Sequence, residues 1–151
     1  MPPNRDMARR TLDARLGKAV IPEQPPKGWI RAIRDALGMT TTQMAGRMGV
    51  AQSRIVAIEK EEARKSLTLK TLERAAEALG CTLVYALIPN ESLEATVETR
   101  AREKAQALLK QAGHTMGLEG QPVGKKERDA QLKQLTSELL KGSAARIWDE
   151  L

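Results

Sequence analysis

Phenylalanine is absent from this chain of 151 residues, and the aromatic residues that remain are two tryptophans and one tyrosine. A core without phenylalanine depends on Leu, Ile, Val, Met and Ala, which favours packing of helix on helix over an aromatic-rich sandwich. The single cysteine, Cys81, excludes an internal disulfide framework. No apolar run approaches the roughly 20 residues that a membrane span needs, and the polar, basic N-terminus lacks the apolar centre of a signal peptide. We therefore expect a cytoplasmic protein that does not enter a membrane.

The residues that usually carry catalysis or bind metal are also scarce. The only histidine, His114, lies in a segment broken by glycines, with no cysteine near it, so neither a metal site nor a catalytic triad is expected. Gly46 and Gly49 are not followed by the Lys-Ser/Thr ending of a phosphate-binding loop. The sequence predicts no enzymatic activity, no metal and no cofactor.

What the chain has in excess is positive charge, and this charge is unevenly distributed. The formal net charge is +6. Residues 1–26 hold five lysines and arginines against three acids, residues 27–89 hold ten against six, and residues 90–151 hold ten against ten. The excess therefore lies in the first 89 residues, as an electrostatic footprint for nucleic acid requires.

The spacing of apolar residues predicts a mainly α fold in three parts. Residues 1–26 form a basic N-terminal helix and a proline-rich arm, since prolines cannot continue a helix. Residues 27–89 form a bundle of four helices with a helix-turn-helix, which ends in a short strand. Residues 90–151 form a C-terminal helical extension, interrupted by glycines between about 113 and 125. Within the bundle, the charged run at 61–66 is expected to be a solvated loop.

The strand is predicted at 81–88, where β-branched and aromatic residues are concentrated. Leu83, Tyr85 and Leu87 alternate with Val84 and its neighbours, so that both faces are apolar. No second strand of comparable strength exists in the sequence, and a lone strand leaves its backbone donors and acceptors unpaired. The simplest partner is the same strand of a second copy, which predicts a homodimer.

The helix-turn-helix pattern occupies residues 42–59. Ala45 supplies the small residue that two steeply crossing helices need, and Gly49 allows the left-handed turn between them. The second of these helices then turns Ile55 and Ile58 inward. A recognition helix reads base edges with its N-terminal residues, and Gln is suited to adenine while small side chains meet the thymine methyl group. The predicted base contacts are Ala51, Gln52, Ser53, Arg54 and Ala57.

This segment resembles the Cro/phage-repressor (XRE-type) helix-turn-helix family over about Trp29–Gly80. The resemblance rests on Gln43, Ala45, Gly49-Val50, Gln52-Ser53, Ile58-Glu59 and the run Leu72…Ala75-Ala76…Leu79-Gly80. It implies a phage-repressor-like bundle and phosphate contacts from the start of the first motif helix and from the loop after the second. With Lys60 on the recognition helix, the predicted phosphate contacts are Thr41, Thr42, Gln43, Lys60, Arg64, Lys65 and Ser66. Arg54 departs from the usual small or polar residue and could contact either a base or a phosphate.

Four stretches together resemble the bacterial family called "mobile mystery protein A": 28–39, 75–89, 114–116 and 147–150. That resemblance implies an XRE-type regulator carried on mobile elements beside a partner with a Fic domain. The sequence therefore predicts an autoregulatory, homodimeric repressor of transcription that binds double-stranded DNA. The alternative is an antitoxin-like module that neutralises the Fic-domain partner. Trp148 could then anchor in a pocket of that partner, although packing back on the helices of its own chain is the expected role. RNA binding is disfavoured because the chain lacks an aromatic platform for unstacked bases.

Overall fold

The computed structural model describes residues 4–116, 124–142 and 144–150, and the chain divides into two compact units. One unit runs from Val20 to Leu87, and the other combines the residues up to Ala19 with those from Ile88 onward. No helix in the described ranges is long and apolar enough to cross a membrane.

The Val20–Leu87 unit arranges four helices around an aliphatic core. α2 spans Trp29–Ala36, α3 Thr41–Met48, α4 Gln52–Ala63 and α5 Leu69–Ala78. Aliphatic and methionine side chains along these helices and at the end of α5 are buried together: Ile30, Met44, Ala45, Met48, Ile55, Ile58, Ala75, Ala78 and Leu79. The predicted bundle without large aromatic residues in its core is therefore confirmed.

Local signals in the sequence set most of the helix boundaries in this unit. Thr40 caps α3 through its hydroxyl, which accepts from the backbone N–H of Gln43, and Thr68 caps α5 in the same way. Between α3 and α4, Gly49 adopts the left-handed conformation with φ of 67°, which costs glycine little. Its N–H and that of Val50 both donate to the carbonyl of Ala45, which closes the turn.

The other unit is also helical. It contains α1 (Arg5–Leu16), α6 (Leu93–Met116), α7 (Lys125–Lys141) and a 3-10 helix at Ala144–Trp148. Residues 117–123, which include most of the predicted glycine-rich break, lie outside the described residues. The described start of that break is helical, because α6 continues to Met116.

In this unit α1 lies against α6, a pairing that is absent from the three-part division expected from the sequence. The carboxylate of Asp13 caps α6, because it accepts from the N–H of Leu93 at 2.7 Å and from that of Glu94 at 3.2 Å. Arg9 bonds to Glu94 at 2.9 Å, and this hydrogen bond raises the pKa of the Arg9 guanidinium. The first helix therefore forms part of the C-terminal bundle.

The short strand predicted at 81–88 is wrong for the single chain. These residues have no regular secondary structure, and the described residues contain no strand. The physical reason is that an isolated extended segment has no neighbouring strand with which to form a ladder of hydrogen bonds. Leu83 is half-buried, whereas Val84, Tyr85 and Leu87 are 84%, 66% and 83% exposed.

Candidate nucleic-acid interface

The buried side of α4 fixes which residues this helix presents to solvent. Ile55 and Ile58 are 0% and 1% exposed, so they anchor the helix in the core. Among the predicted base contacts, Ala51 is the N-cap residue of α4 and Ala57 is half-buried, while the remaining three are exposed: Gln52, Ser53 and Arg54. The polar side chains in the first turn of α4 are therefore accessible to solvent.

A direct hydrogen bond joins the starts of the two motif helices. The side-chain amide of Gln52, at the start of α4, donates to the hydroxyl oxygen of Thr41, at the start of α3, at 2.9 Å. Eleven positions separate the two residues in the chain, and the Gly49 turn brings them together. A predicted base contact and a predicted phosphate contact therefore form one polar group on the surface.

The beginning of α3 carries the other two predicted phosphate contacts of this region. Gln43 completes a capping box, because its side-chain oxygen accepts from the backbone N–H of Thr40 at 2.9 Å. Its amide NH₂ group takes no part in that bond and can donate elsewhere. Thr42 is exposed, and the N–H groups of Thr41 and Thr42 find no acceptor among the described residues. Such a helix start is suited to an anion.

The remaining predicted phosphate contacts lie at the other end of α4. Lys60, Arg64 and Lys65 are exposed, and in the described ranges none of them forms an ion pair. Ser66 donates from its hydroxyl to the carbonyl of Glu61 at 3.3 Å, which folds the chain back after the helix. A helix of 12 residues is about 18 Å long. Polar and cationic groups therefore flank α4 at both ends, at a separation sufficient to reach both walls of a major groove about 12 Å wide.

Lys65 has the left-handed conformation with φ of 59°, and it is the sole non-glycine residue with positive φ in the described part of the chain. Left-handed backbone costs a residue with a Cβ atom on the order of 1 kcal/mol, and glycine would avoid this cost. A strained position occupied by an exposed lysine is consistent with a role for its ammonium group in binding.

A buried ion pair holds α4 in place. Arg34 of α2 bonds to Glu59 of α4 through Nε–Oε1 at 2.5 Å and Nη2–Oε2 at 3.2 Å, and its Nη1 donates to the carbonyl of Met39 at 2.8 Å. The two residues are 8% and 9% exposed. This one guanidinium therefore connects α2, α4 and the start of the loop that leads to α3.

The expectation that Glu61 and Glu62 lie in a solvated loop is wrong. Both residues belong to α4, and Glu62 is 6% exposed. Its carboxylate accepts from the backbone N–H groups of Trp29 at 2.7 Å and Ile30 at 2.9 Å, so it caps α2 from a distance in sequence. The available signal was Gly28, an N-cap position without any side chain to satisfy the first N–H groups of α2.

Two comparisons with known proteins give no result, since neither a curated protein nor a solved structure matches the chain. The resemblance to mobile mystery protein A and the Fic-domain partner that it implies therefore stay predictions. The scan of family models does give a result, and it coincides with the helices just described. Residues 30–85 match the family described as "Helix-turn-helix". Residues 30–85 are therefore similar to a helix-turn-helix domain, which suggests a DNA-binding regulator.

Proposed function

We propose that this protein is a sequence-specific transcriptional repressor that inserts α4 into the major groove of DNA. The observation that supports this best is the hydrogen bond between Gln52 and Thr41. It holds a base-reading side chain against a group that can bind the phosphate backbone, so that docking on the backbone also positions the side chain that reads the base.

The hydrogen-bonding capacity of Gln52 agrees with this role. A glutamine amide has two N–H donors and an oxygen acceptor, and Thr41 occupies one donor. The other donor and the oxygen remain, which is the pair that adenine requires at N7 and N6. Thr41 accepts from Gln52 with its hydroxyl oxygen and keeps its own hydroxyl hydrogen for a phosphate oxygen.

Replacing Gln52 by alanine is expected to remove sequence preference while leaving binding to DNA in general. A bidentate contact to a base is worth about 1–3 kcal/mol of discrimination, so the preference for the operator should fall roughly 5- to 150-fold per half-site. The measurement is a gel shift at several salt concentrations against the DNA just upstream of the gene, with random-sequence DNA as competitor. Exposed Gln106 on α6 offers the matched control, Gln106→Ala, which should behave as the wild type. Equal preference of Gln52→Ala and wild type would contradict the proposal, and so would a wild type without preference.

We further propose that the repressor binds a pseudo-palindromic site as a homodimer, paired through residues 83–88. Val84, Tyr85 and Leu87 form an exposed apolar stretch in the single chain, and its backbone has no partner within the described residues. A second copy of the same stretch supplies both a ladder of hydrogen bonds and apolar cover. Two recognition helices then read half-sites about one helical turn apart.

The dimer is expected to dissociate when lysine replaces Val84 or Leu87, because pairing would then bury a charge on an apolar face. The measurement is sedimentation equilibrium at micromolar protein, where the wild type should have the mass of two chains and both variants that of one. Val20, which is 94% exposed in the same unit, provides the control Val20→Lys, which should remain dimeric. A monomeric wild type, or dimeric variants at every concentration, would contradict pairing through this segment.

A further inference from the structure

An exposed ion pair runs along α4 on the surface that the proposed function assigns to DNA. Arg54 Nη1 lies 3.1 Å from Glu61 Oε1, and the two side chains are 44% and 36% exposed. Residues 54, 57 and 61 follow the i, i+3, i+7 spacing of one helix face. Because Ala57 lies between them, the long side chain of Arg54 can extend over it towards Glu61.

This pair changes which cations of α4 and of the residues directly after it are free in the absence of DNA. Lys60, Arg64 and Lys65 form no ion pair in the part of the chain that the structure describes, whereas Arg54 is neutralised and directed along the helix. Arg54 also lies in the first turn of α4, where a recognition helix reads base edges. It is therefore the cation of this helix that could either read a guanine or bind any phosphate.

We propose that Glu61 is a positioning residue that sets the specificity of DNA binding, by holding Arg54 back from the phosphate backbone. This inference rests on the proposed function, and it assigns a role to a residue that the helix-turn-helix pattern leaves unexplained. Non-specific affinity comes almost entirely from phosphate neutralisation. A tethered Arg54 adds little to that affinity, while its guanidinium remains oriented on the groove-facing side of α4 for a base.

The strength of the pair is compatible with such a role. Exposed ion pairs are weak, so a guanine that offers two acceptors to a guanidinium can replace Glu61 as the partner. A phosphate gains less, because it brings a second negative charge near the carboxylate of Glu61, whereas the edge of guanine is neutral. The pair therefore disfavours phosphate contacts more than base contacts.

The test uses the full chain and measures the affinity for random-sequence duplex DNA as a function of salt. Glu61→Gln frees Arg54, and we expect it to bind random DNA about threefold more tightly per recognition helix. The slope of log K against log[salt] should steepen by about one per recognition helix. Glu98→Gln, at an exposed position on α6, removes the same charge elsewhere and should match the wild type in both quantities.

A double-mutant cycle separates positioning from simple charge removal. If Glu61 acts through Arg54, Glu61→Gln should have no effect in an Arg54→Gln background, and thermal unfolding should be unchanged in all variants. An equal effect in that background would overturn the inference, because Glu61 would then repel phosphates directly. Unchanged binding of random DNA by Glu61→Gln would also overturn it, while a preference of the wild type that depends on Gln52 would leave the proposed function intact. A wild type without any preference for operator DNA would overturn both.

Discussion

Replacing Glu59 by alanine is expected to lower the free energy of unfolding of the Val20–Leu87 unit by about 3–5 kcal/mol. The substitution removes the buried carboxylate that pairs with the guanidinium of Arg34. It leaves only the carboxylate of Asp35, which is 58% exposed and lies 3.0 Å from Nη1, and breaking a buried pair by removing one partner is costly. Three hydrogen bonds of Arg34 meet at this point, two to Glu59 and one to the carbonyl of Met39. The decrease in the free energy of unfolding should therefore be several times larger than that caused by breaking an ordinary surface ion pair.

The measurement is urea unfolding of the full chain followed by circular dichroism. Exposed Glu73 on α5 provides the control Glu73→Ala, which should change the free energy by no more than about 0.5 kcal/mol. The double variant Arg34→Met/Glu59→Leu should be more stable than Glu59→Ala alone, because it leaves no buried charge. A loss below about 1 kcal/mol in Glu59→Ala would contradict the role of the pair.

The pair should also be insensitive to alkaline pH. The hydrogen bond to Glu59 raises the pKa of the Arg34 guanidinium above its usual value. A raised pKa in the folded state gives a stabilisation that is complete below the unfolded pKa and is lost only when the pH exceeds the folded one. Since an arginine is protonated at every pH at which proteins are ordinarily handled, the contribution of Arg34 should stay constant throughout that range.

The parts of the fold that follow from local sequence were predictable. The periodic apolar residues of α2 to α5 predict the core, and Gly49 and Thr68 carry turn and cap signals that need no tertiary information. Glu59 and Glu62 could not be assigned in this way. Their partners lie about 25 and 32 positions earlier in the chain, and a charged residue within a helix is usually exposed.

The candidate site was predictable to a similar extent. That Gln52 and Thr41 lie at helix starts follows from the pattern, whereas the hydrogen bond between them depends on how α3 and α4 cross. The packing of α1 against α6 is equally non-local, because Asp13 and Arg9 of α1 bind the start of α6 about 80 positions later in the chain. The prediction of a strand at 81–88 is wrong for a different reason. These residues favour extended backbone, but the single chain offers no neighbouring strand for their backbone hydrogen bonds.

Replacing Gly28 by alanine is expected to lower the free energy of unfolding of the Val20–Leu87 unit by about 2–4 kcal/mol. Gly28 is the N-cap residue of α2 and has φ of 88° and ψ of 164°, a region that is essentially restricted to glycine. A Cβ atom there would lie 2.8 Å from both Cδ and Oε2 of Glu62. The carboxylate could move aside, but Trp29 and Ile30 would then lose the acceptor of their N–H groups. The cost therefore combines backbone strain with the loss of a buried cap.

Two further variants separate these contributions in urea unfolding. Gly38 also has positive φ, at 67°, but a Cβ atom there would meet nothing within 4 Å, so Gly38→Ala should cost only the strain of about 1–2 kcal/mol. In a Glu62→Ala background the cap is already lost, and Gly28→Ala should then cost less than it does in the wild type. If Gly28→Ala lowered the free energy of unfolding equally in both backgrounds, the cap formed by the carboxylate of Glu62 would not depend on the absence of a side chain at position 28. A smaller loss in the Glu62→Ala background would establish that Gly28 is required because Glu62, more than 30 positions away, occupies the space beside it.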